Sequence, residues 1–312
     1  MQAPFPYFGG KSTVASQIWN ALGQPRNYIE PFFGSGAVLL NRPSYDPLRH
    51  TETVNDKDGF LANVWRALQA NPDKVAKYCD WPVNHADLNA RRKELLENEE
   101  TLLKNLNENA DYFNAKLAGY WIWCASSWIA NGIASKTSRP HITNSGQGIH
   151  KLSLRTNTYK TDDVKGIYVD NIYKWFRKLS ERLRYVRVIC GDWNSVCGVN
   201  WEKLHGNIGM FFDPPYGVKD RDSNLYHHDS LTIAKDVLTW CKEKGSIDKY
   251  RIVIAGYDEY IELLDNDWTK IHWETQGGFS CISGKANSNS KREVLYLSPH
   301  CRKKSKGLFF VQ

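Results

Sequence analysis

The sequence predicts an α/β protein in which a mostly parallel sheet is interrupted by a mainly helical insertion. Three observations carry this. Strand-like and helix-like runs alternate from the N-terminus to about residue 75 and again from about residue 165. Several strand-like runs end in an acid, as in TETVND and VICGD. Between the two α/β stretches the strand signal vanishes, and long helical patterns followed by a Gly/Ser/Asn-rich basic segment take its place.

The first α/β stretch opens with the Gly-containing FPYFGGKS, followed by a helix (STVASQIWNAL), a short strand (NYIEPF), a Gly turn (FGSG) and a helix (AVLLN). A second strand, TETVNDKD, and the helix GFLANVWRAL complete a βαβ signature. The insertion, residues 76–164, contains the polar helix HADLNARRKELLENEETLLKNL and the aromatic helix FNAKLAGYWIWCASSWIA. From residue 165 the pattern resumes with a helix (IYKWFRKLSERLR), strands VRVICGD and IGMFF, a helix around LTIAKDVLTWCKEK, and strands RIVIAGY and REVLYLS. One discontinuous unit, residues 1–75 with 165–312, is thus expected to surround the inserted one. The tail HCRKKSKG reads as a solvated end.

At 312 residues with 41% hydrophobic content the chain can bury a normal core. No apolar run approaches the roughly 20 residues of a membrane helix, and the N-terminus lacks the character of a signal peptide. A cytoplasmic, membrane-free location is expected. The seven cysteines, Cys79, Cys124, Cys190, Cys197, Cys241, Cys281 and Cys301, are scattered and never spaced C-x-x-C, which argues against a disulfide framework and a structural zinc site. Reduced thiols and no metal are expected.

The net charge of +7 is moderate, but its distribution is informative. No Asp or Glu occurs from Tyr112 to Thr161, while Lys116, Lys136, Arg139, Lys151, Arg155 and Lys160 do. Such a segment suits an approach to phosphates; an ordinary basic loop is the other reading. Trp121, Trp123 and Trp128 could stack on a displaced base, although aromatic residues at helical spacing usually form core. His227 and His228 read as surface residues or part of a closing loop.

Two stretches carry chemistry. In IEPFFGSG, Gly34 and Gly36 let backbone N–H groups approach a ligand between a strand and a helix. Asp56 follows Gly36 by twenty residues at the end of the next strand, where an acid in this kind of fold grips ribose hydroxyls. A nucleoside-containing cofactor follows; the other reading of Asp56 is a helix N-cap. The second stretch is FFDPPYG. Its two prolines lack backbone donors, so the preceding strand must stop, leaving an acid and an aromatic on a stiff turn. The exocyclic amine of a nucleobase is a poor nucleophile because its lone pair is delocalised into the ring. Acceptors at the Asp213 carboxylate and the Pro214 carbonyl, the latter held by Pro215, would favour a pyramidal nitrogen, and Tyr216 would stack on an extruded base.

These residues resemble the Dam-like (alpha-group) DNA adenine-N6 methyltransferases. FPYFGGKS is similar to that family's N-terminal box, YIEPFFGSGAVLLN to its S-adenosylmethionine loop, VNDKD to its ribose acid and VICGDW to the strand bordering the cofactor adenine. FFDPPYG resembles its catalytic turn and SKREVLYLS its closing strand, and the six boxes stand in family order. The resemblance implies a Rossmann-like class I methyltransferase sheet carrying an inserted target-recognition subdomain. It also implies transfer of a methyl group from S-adenosyl-L-methionine to the N6 amine of a flipped-out adenine in double-stranded DNA. The catalytic residues would be Asp213, Pro214, Pro215 and Tyr216. Tyr7, Lys11, Phe33, Gly34, Ser35, Gly36, Asp56, Asp192, Trp193 and Asp213 would bind the cofactor. Lys11, Lys136, Arg139, Lys151 and Arg155 would meet DNA.

Tyr7 stands where the family usually carries Trp, which keeps an aromatic contact. The insertion matches no recognition hairpin of known specificity. The alternatives are amine methylation of cytosine N4, an RNA base or a protein glutamine, or a DNA-binding relative without catalysis. A restriction-modification or phage setting fits the family, with a cognate restriction nuclease as a partner and a monomer as the expected state.

Overall fold

The structure, a computed structural model, describes residues 1–7, 10–127, 148–150, 170–215, 231–257, 264–273 and 293–302. Its elements in chain order are α1 (Ala15–Leu22), β1 (Asn27–Glu30), α2 (Ala37–Leu40), β2 (Thr51–Asp56), α3 (Gly59–Ala70), α4 (Pro72–Cys79), α5 (His85–Glu108) and α6 (Ala115–Ser127). These are followed by α7 (Asp170–Leu183), β3 (Val186–Cys190), β4 (Ile208–Phe212), α8 (Leu231–Gly245), β5 (Tyr250–Tyr257), β6 (Thr269–His272) and β7 (Glu293–Leu297). Two short 3-10 helices, Trp193–Val196 and Val199–Lys203, lie between β3 and β4.

The sheet has the order β3-β2-β1-β4-β5-β7-β6. Neighbours from β3 to β5 pair in parallel, whereas β7 is antiparallel to both β5 and β6. This is an α/β sheet of the Rossmann-like kind expected. The order reverses between β1 and β4, so the chain leaves those neighbouring strands toward opposite sides and opens a crevice at their C-terminal ends. All five residues of β4 are buried, as a strand covered on both faces requires. Every strand read from the sequence is present; β6, in TKIH, was not anticipated.

Local rules set the helix starts. Asp58, not Asp56, caps α3, accepting the Phe60 N–H at 2.8 Å. Asn71 caps α4, with Pro72 in the first turn; the sequence reading contained no separate helix there. Asn84 caps α5.

Two cores sandwich the sheet. On one face Ile29, Met210, Phe212, Ile252, Ile254, Val294 and Tyr296 pack with α8. On the other, Phe211, Val253, Leu295 and Leu297 share a continuous core with α1, α3 and the helices α4 to α7. The described helices within residues 76–164 therefore share the core that covers this face of the sheet. Trp121 and Trp123 lie in it, at 7% and 0% exposure, and the Trp123 indole donates to the Trp81 carbonyl at 2.9 Å. The Arg91 guanidinium stacks 4.2 Å from the Trp123 ring. Trp128 lies outside the described residues.

Candidate active site

The site gathers on the crevice rim. Asn55, fully buried in β2, donates through Nδ2 to the Pro31 carbonyl and to the Gly191 carbonyl, each at 3.0 Å. One amide thus locks the loops after β1 and β3 to the end of β2. The Phe33 N–H donates to the Asn55 carbonyl at 2.9 Å and the Gly191 N–H to that of Asp56 at 3.2 Å.

Gly34 and Gly36 both have positive φ, +49° and +66°. A side chain on Gly34 would meet the Tyr7 ring at 2.8 Å, so the turn and the aromatic of the N-terminal box lie in direct contact. The Gly34 carbonyl accepts from the Trp65 indole at 3.0 Å, fixing the turn onto α3. Ser35 is buried at 7% exposure. The Phe33 ring is also buried, behind the turn and 4.9 Å from the Trp65 ring.

Asp56 accepts the Gly34 N–H through Oδ2 at 2.8 Å and the Asp58 N–H through Oδ1 at 3.0 Å. Burial, followed by the neighbouring Asp58 charge, pushes its carboxyl from 3.8 up to about 7, against the pull of the backbone N–H bonds. Asp192 caps the first 3-10 helix, accepting from the Asn194 N–H at 3.3 Å, and stands 3.8 Å from the Lys57 ammonium. The Trp193 ring meets Phe212 and Trp240 edge-on, each at 6.4 Å. That aromatic wall backs the end of β4.

Asp213 leaves β4 where the sequence demanded that the strand stop. Lys11, only 3% exposed, donates from Nζ to Asp213 Oδ2 at 2.8 Å. Residues 202 positions apart are therefore joined in one ion pair. The segment before Lys11 is anchored by Phe5, whose ring lies 4.7 Å from Trp121 of α6 and 5.6 Å from Trp65 of α3. Tyr7, Lys11, Gly34, Asp56 and Asp213 all belong to this rim. Tyr216, Lys136, Arg139, Lys151 and Arg155, with Lys160, His227 and His228, fall outside the described residues.

Two acids of the site were not anticipated. Glu30, 2% exposed at the end of β1, accepts from the Tyr28 hydroxyl at 2.8 Å. Burial pushes its carboxyl well above the usual range, the Tyr28 bond opposes that, and Asp213 adds to it. Glu293, the first residue of β7, is also raised by burial, lowered by Lys11 and raised by Asp213. The Pro after Glu30 and the acid in SKREVLY were the available signals. Neither pattern says which face of the sheet the acid occupies.

A Gly turn, an acid on the next strand and an Asp-Pro-Pro turn meet at the switch point of the sheet, the place where α/β enzymes of this architecture bind their ligands. The profile of the D12 class N6 adenine-specific DNA methyltransferases matches residues 7–286. The chain belongs to that family, and it is a DNA adenine methyltransferase in class. No curated protein matches it. Among the described residues no helix is long and apolar enough to cross a membrane, and no group of three or more His, Cys, Asp or Glu could hold a metal ion.

Proposed function

We propose that the protein transfers a methyl group from S-adenosyl-L-methionine to the N6 amine of an adenine flipped out of double-stranded DNA, with Asp213 as the acceptor that prepares the amine. The observation that carries this reading is the Lys11–Asp213 ion pair at the end of β4, on the rim shared with the Gly turn. The residues suit the cofactor: at Gly34 any side chain would strike Tyr7, and Asp56 is an acid where ribose hydroxyls would arrive. Tyr7, Gly34, Ser35 and Gly36 would hold the methionine end, with Phe33 behind them. Asp56 would hold the ribose, and Asp192 and Trp193 the adenine. When bound, the cofactor supplies an electrophilic methyl on a sulfonium.

The chain's own contribution is positioning. Asp213 and the Pro214 carbonyl would accept the two amine hydrogens, and Pro215 keeps that carbonyl from turning. Before substrate arrives, Lys11 holds the carboxylate through Oδ2. The amine becomes acidic once methylated, so Asp213 serves as an acceptor rather than a strong base. Tyr216 would stack on the base, recovering part of the few kcal/mol that extrusion costs. Lys136, Arg139, Lys151 and Arg155 would approach the DNA phosphates.

Asp213→Ala tests the reading. It should lower methyl transfer to DNA by at least about 100-fold, the scale of a lost preorganised polar group, while cofactor binding measured by calorimetry stays detectable. Near-normal transfer would sink the mechanism.

A further inference from the structure

Glu293 has no role in the account above, although it stands on the same rim. It opens β7 opposite Tyr257, the last residue of β5, and β5 runs beside β4 with Ile254 opposite Phe212. The start of antiparallel β7 therefore lies where β4 ends and Asp213 begins. Side chains alternate along a strand. Leu295 and Leu297 share a core with Phe5, Val14, Ile18 and Phe211, whereas Val294 and Tyr296 pack on the opposite face. Glu293, two residues before Leu295, belongs to the face that also carries Asp213, two residues after Phe211, and the segment of Lys11.

Among the described residues the buried Glu293 Oε2 atom has no hydrogen-bond partner. One position beyond the His272–Val294 pair in the register stands Trp273, 7% exposed, whose buried indole Nε1 likewise has no partner among the described residues. His272 and Lys270 occupy the register positions of Val294 and Tyr296, on the other face. Among the described residues, Lys11 and Asp213 are the charged groups that act on Glu293.

We propose that Glu293 is a positioning residue for methyl transfer, whose carboxylate receives the Lys11 ammonium when Asp213 turns to the substrate amine. The proposal rests on the adenine-amine reading. In the structure the ammonium occupies Asp213 Oδ2 at 2.8 Å, where it competes with an incoming amine hydrogen. A lysine has three donors on a flexible stem, so it can pivot between two carboxylates without losing a charged partner. A buried acceptor without a donor gains most from such a move. No covalent bond changes at Glu293; only the hydrogen bonds of Lys11 are exchanged.

Single-turnover methyl transfer to DNA, followed against pH, tests this with Glu293→Gln, Glu293→Asp and Lys11→Met. In the unsubstituted protein the rate should fall as the pH drops and Glu293 takes a proton, because the neutral acid no longer attracts Lys11. At cofactor concentrations that saturate the protein at every pH, Glu293→Gln should lower the plateau rate about 10-fold, the effect of one charge-assisted hydrogen bond, abolish that acid limb, and leave cofactor affinity unchanged. Glu293→Asp should restore the limb, and in a Lys11→Met background Glu293→Gln should add no further loss. An unchanged rate and pH profile in Glu293→Gln, or full additivity with Lys11→Met, overturns the inference alone. So does joint loss of transfer and cofactor binding in both Glu293 variants, which would make the residue structural. Absence of transfer to DNA by the unsubstituted protein overturns the functional reading and this inference with it.

Discussion

The hydrogen bonds of Asp56 and its surroundings pull on its proton in opposite directions. Its oxygens hold the Gly34 and Asp58 N–H groups, which favours the ionised form, yet burial and the Asp58 charge raise the carboxyl to about 7. In the proposed function Asp56 accepts ribose hydroxyls, which donate best to a carboxylate, so cofactor affinity should rise as pH increases through about 7. Calorimetry from pH 6 to 8.5 should show that rise, and Asp56→Asn should bind weakly with no such dependence. The stability linkage runs the other way. The folded carboxyl keeps its proton to about 7 while an unfolded one releases it near 3.8, so the folded state binds more protons between those values. This residue's contribution to stability therefore falls as pH rises through that window. The position of Asp56 was legible because a strand ending in acid has a known place in such sheets. Its grip on the Gly34 N–H was not, and nothing in VNDKD announces that Asp58, rather than Asp56, caps the helix.

At the scale of elements, the bottom of the sheet is tied by a buried charge cluster. Glu52 of β2 and Arg42, just beyond α2, both have fully buried side chains and pair at 3.0 Å. Arg182 of α7 reaches the same carboxylate at 2.6 Å and 2.9 Å and also donates to the Leu39 carbonyl. Its guanidinium lies 3.9 Å from the centre of the Tyr45 ring. Glu52→Gln keeps the shape but leaves two cations without a countercharge, and should lower unfolding free energy in urea by about 3–5 kcal/mol. Lys93→Met, which breaks only the exposed pair with Glu97, should change it by under about 0.5 kcal/mol. The clusters could not be read from sequence, because Arg42, Glu52 and Arg182 carry no mark of burial in a linear pattern. The strands with strong apolar runs, IGMFF and RIVIAGY, were legible. The four-residue TKIH, with only one apolar side chain, was not. Nor was α4, whose PDKVAKYC is too short to establish a helical period.

At the scale of the molecule, the sheet order explains how residues scattered over two hundred positions meet. Parallel strands deliver Gly34, Asp56, Asp192 and Asp213 to one rim, and the N-terminal box crosses it to bring Tyr7 and Lys11. The break in the α/β rhythm was legible, as α4 to α6 follow one another with no strand between them, but the packing of those helices was not. Composition marked a separate unit, whereas α4 to α6 share the core of α3 and α7. The aromatic helix thereby supports the N-terminal box through the Phe5–Trp121 contact. The basic run beyond it, with Lys136, Arg139, Lys151 and Arg155, is left to choose and hold DNA in the proposed function.

The most direct test of that function is to incubate methylation-free DNA with the protein and S-adenosyl-L-methionine and to sequence it by a method that distinguishes modified bases. N6-methyladenine confined to one recurring sequence context is the predicted result. N4-methylcytosine, or unmodified DNA under conditions in which the cofactor is bound, would contradict it.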